Sequence, residues 1–111
     1  MPPARSYSLA VLAEVLIACG NIGEALTRAR EAHAILEQLG AIDEGEGYVR
    51  LIYALALRAS GAEEEAVAAI ATARARLQRI AGLISDPALR ASFLERVPEN
   101  VLTLSLGATC P

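Results

Sequence analysis

The chain of 111 residues contains no lysine and no tryptophan, and only one histidine, one phenylalanine and two cysteines. Each scarcity removes a class of function. Without lysine there is no glycine loop ending in Gly-Lys to cradle a phosphate. His33 alone would have to serve any catalytic triad. None of Ser6, Ser8, Ser60, Ser85, Ser92 or Ser105 lies in a Gly-x-Ser-x-Gly context. As a metal ligand, His33 has only Glu37 at helical spacing, and a metal site needs more ligands than that. Cys19 and Cys110 stand near opposite ends with no Cys-x-x-Cys spacing. This speaks against a disulfide framework and for reduced thiols in a cytoplasmic protein. All ten basic residues are arginine, and thirteen acids leave a net charge of −3. A nucleic-acid module would carry a basic excess on one face. Glu63, Glu64 and Glu65 read as a helix start favoured by the macrodipole, not as an acid/base pair. Composition therefore predicts no catalytic residues, no metal, no cofactor and no nucleic-acid partner.

What the chain has in abundance is alanine, 23 residues of it, within a hydrophobic content of 54%. Alanine is the best helix former, and small side chains let helices approach closely. No segment alternates with period 2 for long enough to argue for a strand. The punctuation predicts six helices, near 5–19, 22–39, 44–60, 63–84, 87–97 and 99–106. Gly20, Gly40, Gly61 and Gly107 fall between or after them. Asn21 before Glu24 and Asp43 before Glu46 resemble capping boxes. Asp86 followed by Pro87 is an N-cap followed by a first-turn proline, and Pro98 breaks what precedes it. In the fourth helix Ala66, Ile70, Ala73, Leu77, Ile80 and Ile84 recur at steps of 3 and 4 and form one stripe. In the second, Ala25, Ala29, Ala32, Leu36 and Leu39 do the same.

A shift of 41 residues lays one part of the chain on another. It brings Ala13 onto Ala54, Leu16 onto Leu57, Gly20 onto Gly61 and Ala25 onto Ala66. It also brings Ala29 onto Ile70, Ala32 onto Ala73 and Leu36 onto Leu77. One helix-turn-helix unit is thus written twice. Ala13, Leu16, Gly20, Ala25 and Ala32, with their copies Ala54, Leu57, Gly61, Ala66 and Ala73, resemble the signature of the tetratricopeptide repeat family. The period of 41 exceeds the family's usual 34. Ile22 and Glu63 stand where the family has a corner aromatic, and Leu9 and Arg50 where it has an early tryptophan. The resemblance covers about residues 5–84 and implies an all-α fold, a short α-solenoid of stacked helix-turn-helix units. The expected domain is 1–111, with unit one at 5–40, unit two at 43–84, and a partial third unit or cap at 86–107. The stretch from Ser85 to Gly107 also resembles the closing segment of long bacterial signalling proteins that join a kinase, cyclase or ATPase module to C-terminal repeats.

The first helix ends in Leu16-Ile17-Ala18-Cys19, which matches a lipoprotein cleavage box behind an apolar core at Leu9–Ala18. Glu14 interrupts that core at a cost, and ten residues are too few for a membrane span. The same segment also matches residues 50–60 under the shift, which a leader has no reason to do. The expectation is a structural helix, with no membrane partner.

By the resemblance, the first helix of each unit lines a concave groove. The groove positions are Tyr7, Ala10, Glu14, Ile17, Tyr48, Leu51, Leu55 and Arg58. They imply a non-catalytic scaffold that binds a protein or peptide. Family members that clamp a carboxylate tail use Lys and Asn where this chain has Ala10 and Glu14, so that ligand is not expected. Tyr48, Leu51 and Leu55 read equally well as packing between units. The alternative function is self-association, a homodimer covering Leu9, Leu12 and Leu16 at the end of the stack.

Overall fold

A computed structural model describes residues 2–40 and 45–109. These form six helices: α1 (Pro2–Ala18), α2 (Ile22–Leu39), α3 (Glu46–Ala59), α4 (Glu63–Gly82), α5 (Pro87–Arg96) and α6 (Pro98–Thr109). The fold is all-α and repeat-like. Helix α1 begins three residues earlier than the periodicity suggests, because proline is tolerated in a first turn. Helix α6 likewise starts on Pro98, after Val97 adopts the extended backbone that a following proline favours. Helix α6 continues through Gly107, past the end that this glycine suggests.

The two corners are the same object. In the first, the amide of Gly20 donates to Ile17 O (3.0 Å) and that of Asn21 to Leu16 O (2.9 Å). In the second, Gly61 donates to Arg58 O (3.1 Å) and Ala62 to Leu57 O (3.0 Å). Every donor and acceptor is displaced by 41. This pair of bonds is the Schellman closure of a helix, which needs a left-handed residue. Gly20 and Gly61 supply it with φ of 82° and 86°. Asn21 stands at the N-cap of α2 but forms no capping box: its side chain bonds no helix amide and instead donates to the Glu24 carboxylate at 3.0 Å. Asp43 lies outside the described residues. Asp86 caps α5 as expected, accepting from the amides of Ala88 (2.8 Å) and Leu89 (3.3 Å).

The first core layer joins Ala10 and Ala13 of α1, Ala29, Ala32 and Leu36 of α2, and Val49, Ile52 and Ala56 of α3. Five of these eight are alanines, so the helices close on each other with little side chain between them. Ser6 is buried at this seam and donates to Ala32 O at 2.7 Å. The α4 stripe buries Ala66, Ile70, Ala73, Leu77 and then Ala81. Ile80 and Ile84 are only half-buried, because a 3.6-residue period carries the last turn to Ala81. Leu39, placed on the α2 stripe by its spacing, is exposed.

Helix α3 packs on both α1 and α2, and α6 packs on both α3 and α4. Helix α6 therefore occupies the position that a third first-helix would hold. Among the described residues, short α5 touches only α4 and α6 and buries no residue of its own. Arg90 ties it down, donating to Ala81 O (3.2 Å) at the end of α4 and to Ile84 O (3.0 and 2.6 Å) just beyond it.

Candidate functional site

Three features stand out from the packed frame: the α1–α3 layer, a small histidine-lined cavity, and a larger cavity walled by α3, α4, α5 and α6.

On the α1–α3 layer the repeat sets equivalent residues side by side. Tyr7 and Tyr48, 41 apart, bring their rings to 5.3 Å between centroids, tilted by 40°. The Tyr48 hydroxyl donates to Glu14 Oε1 at 2.6 Å, which bridges α3 to α1. Burial raises the Tyr48 phenol well above its ordinary 10, and the hydrogen bond to Glu14 and the charges of Glu14, Tyr7 and Glu99 push the same way. It stays a donor. Gly45, which precedes α3, is held at φ 86°, and a Cβ there would come within 2.5 Å of Tyr7 Cδ2. The Tyr7 ring thus rests on bare backbone.

The eight expected groove residues divide in this layer. Tyr7, Glu14 and Arg58 are exposed, and Ile17, Tyr48 and Leu55 are half-buried against the core. Ala10 and Leu51 are buried at 0% and 5% exposure and present no surface. The reason is register: Ala10 and Leu51 are 41 apart and occupy the same inward position in their two units.

His33 sits on α2, with its ring stacked on Tyr53 at 4.0 Å and 15°. Its Nε2 lies 3.3 Å from Glu37 Oε1. Burial lowers its pKa from the ordinary 6.5, Glu37 opposes this and Arg50 adds to it, so the ring is neutral at pH 7. These residues line a cavity of about 240 Å³. The sequence shows the Glu37 partner through i+4 spacing, but not Tyr53, which arrives from the next unit.

The larger cavity, about 390 Å³, has a charged floor that sequence reasoning missed. Glu46, the first residue of α3, is buried. Its Oε2 accepts from Arg50 Nε (3.2 Å) and Arg76 Nε (2.6 Å), and its Oε1 accepts from Arg76 Nη2 (3.3 Å). Burial alone would raise the Glu46 pKa. The hydrogen bonds from Arg76 and Arg50 and their positive charges outweigh it and hold the carboxyl below its ordinary 4.5. The bond to Glu46 and its charge raise Arg76 in turn. One signal was legible: Arg50 stands where the repeat signature has a large apolar residue, and Glu46 precedes it at i−4.

Among the described residues, no group of three or more His, Cys, Asp or Glu side chains is arranged to hold a metal. No described helix is long and apolar enough to cross a membrane. No protein-family model, curated protein or solved structure matches the chain.

Proposed function

We propose that this chain is a non-catalytic scaffold module that binds a protein or peptide along the outer layer formed by α1 and α3. The observation that carries this reading is the Tyr7–Tyr48 pair, held in advance by Gly45 and Glu14 and still partly open to solvent. Tyrosines of this kind offer large amphipathic contact area with few torsions left to order, which is the chemistry of interface anchors. Ile17 and Leu55 extend the layer with apolar surface, and Arg58 adds a charge at its far end. The resemblance to tetratricopeptide repeats supports the same reading. A place within a bacterial signalling protein rests on resemblance, that of the long repeat period and that of the 85–107 stretch.

The test is selection of binding peptides from a displayed random library, followed by affinity measurement. Ile17→Glu and Arg58→Glu alter the layer at positions outside the buried core. Each is expected to weaken the selected peptides about tenfold or more while leaving helicity intact. Peptides that bind both variants as they bind the parent would defeat the proposal, and so would a library that enriches nothing.

A second reading, self-association through the outer face of α1, is favoured by one specific comparison. Of the three leucines expected there, Leu9 and Leu16 are half-buried; Val11, Leu12 and Val15 are 38%, 44% and 52% exposed. Their counterparts 41 residues on are Ile52 (1%), Tyr53 (stacked on His33) and Ala56 (0%), which pack on the preceding unit. Helix α1 thus carries a packing stripe with nothing on it among the described residues. Sedimentation across a wide concentration range tests this. A homodimer that Val15→Glu dissociates is expected, and a strict monomer would remove the reading.

A further inference from the structure

We infer that the 390 Å³ cavity between α3, α4 and the α5–α6 pair is a binding site for a small amphiphile ending in a carboxylate. This site is separate from the α1–α3 layer and does not depend on it.

The first argument is charge. The floor holds two guanidinium groups against one carboxylate. Glu46 takes up the Nε edge of both arginines and one Nη of Arg76. Both Nη groups of Arg50 and the Nη1 of Arg76 have no acceptor among the described residues. Arg50 is nonetheless nine-tenths buried. Glu99 also lines the cavity but makes no ion pair with either arginine. The lining as a whole is balanced, Glu46 and Glu99 against Arg50 and Arg76. No fully buried side-chain nitrogen among the described residues lacks a partner, so the free guanidinium ends are reached by solvent. A carboxylate entering the cavity would accept from these open donors with charge-assisted bonds.

The second argument is shape and polarity. Leu77 and Ile80 of α4, with Phe93 and Val97 at and beyond α5, form an apolar wall facing that floor. The volume lies at the low end of the range for small-molecule pockets. At the ~30 Å³ that a water occupies in the liquid, it accommodates on the order of a dozen non-hydrogen atoms. A carboxylate with an apolar tail of six to ten atoms, roughly, fits both halves. Arg50 also borders the smaller cavity, but the acids Glu37 and Glu65 line that one and it lacks a second arginine. An anion is therefore assigned to the larger one.

Two sources carry this chemistry, a free medium-chain carboxylic acid and the apolar C-terminus of a peptide. Titration of the full chain with octanoate, octanamide, a pentapeptide ending in leucine with a free carboxylate, and its amidated form separates them. Calorimetry gives affinity and amide chemical shifts give location. At least one of the two acids is expected to bind about tenfold or more tighter than its amide, with shift changes at Gly47, Arg76 and Asn100. Octanoate alone binding identifies the free acid, and binding of the peptide identifies a chain end; both support the site. Arg76→Gln is expected to erase the preference for acid over amide. Because that variant also strips a partner from Glu46, Ile80→Phe is the second test: it fills the cavity, leaves the ion triad in place, and is expected to abolish binding in a folded chain. Equal affinity for acid and amide, or acid binding that survives Ile80→Phe unchanged, would overturn the inference.

Discussion

Replacing Gly20 and Gly61 by alanine, singly and together, measures how far the two corners are energetically the same. Both residues have a left-handed backbone, and a Cβ at either would meet nothing within 4 Å. The cost is therefore torsional alone. An L-residue in this conformation loses about 1–2 kcal/mol. The narrower unfolded ensemble of alanine returns about 0.4–1 kcal/mol of that. The expected net loss is about 1 kcal/mol at each corner, and about 2 kcal/mol for the double variant, since the sites share no side-chain neighbour. Gly45→Ala is the contrast. It has the same left-handed backbone, but its Cβ would lie 2.5 Å from the Tyr7 ring. Overpacking adds about 1–3 kcal/mol there. Urea unfolding with an unchanged denaturant slope is the assay. D-alanine at position 20 or 61, introduced by chemical synthesis, should raise stability. If the two corner variants differ by more than about 1 kcal/mol, or if Gly45→Ala is as mild as they are, the reasoning fails.

Removing the Glu46 side chain leaves buried Arg50 and partly exposed Arg76 without their carboxylate, and Glu46→Ala is expected to cost about 3 kcal/mol in the same assay. Because the folded pKa of Glu46 lies below its ordinary 4.5, its contribution is complete above that pH and is lost as pH falls through the folded value. Unfolding free energy measured against pH should show this acid loss, and Glu46→Gln should flatten it. Asp86→Ala removes the two capping bonds of α5 and is expected to cost about 1 kcal/mol, with faster amide exchange confined to α5. The imidazole of His33 should titrate below 6.5 by NMR, and Tyr53→Leu, which removes the stacked ring, should change its ring shifts.

The helices and their corners were readable because their causes are local. A Schellman closure involves six consecutive residues, and glycine is the residue that tolerates its left-handed position, so Gly20 and Gly61 announce themselves. Alanine content, Asp86-Pro87 and the 41-residue offset act over equally short reach. The offset also predicts which faces pack, and Ala13/Ala54, Ala25/Ala66 and Ala32/Ala73 are buried in pairs. The groove residues were half legible. Spacing could put Tyr7 and Glu14 on one helix face and Tyr48 on its counterpart, but not say that the Tyr48 hydroxyl would reach Glu14. It also could not tell Ala10 and Leu51, which face inward, from neighbours that face out.

By itself, then, the sequence determined an all-α chain, six helices, two copies of one unit and the conformation of each corner, since these depend on backbone preference and periodicity within a few turns. Only the tertiary structure decided that α6 rather than α5 takes the next place in the stack. The same holds for Arg76, brought from 30 residues away onto Glu46, and for the cavity left between short α5 and the body. Those depend on how whole helices settle against each other. Such packing reflects the summed shape of many side chains, and no single stretch of sequence encodes it.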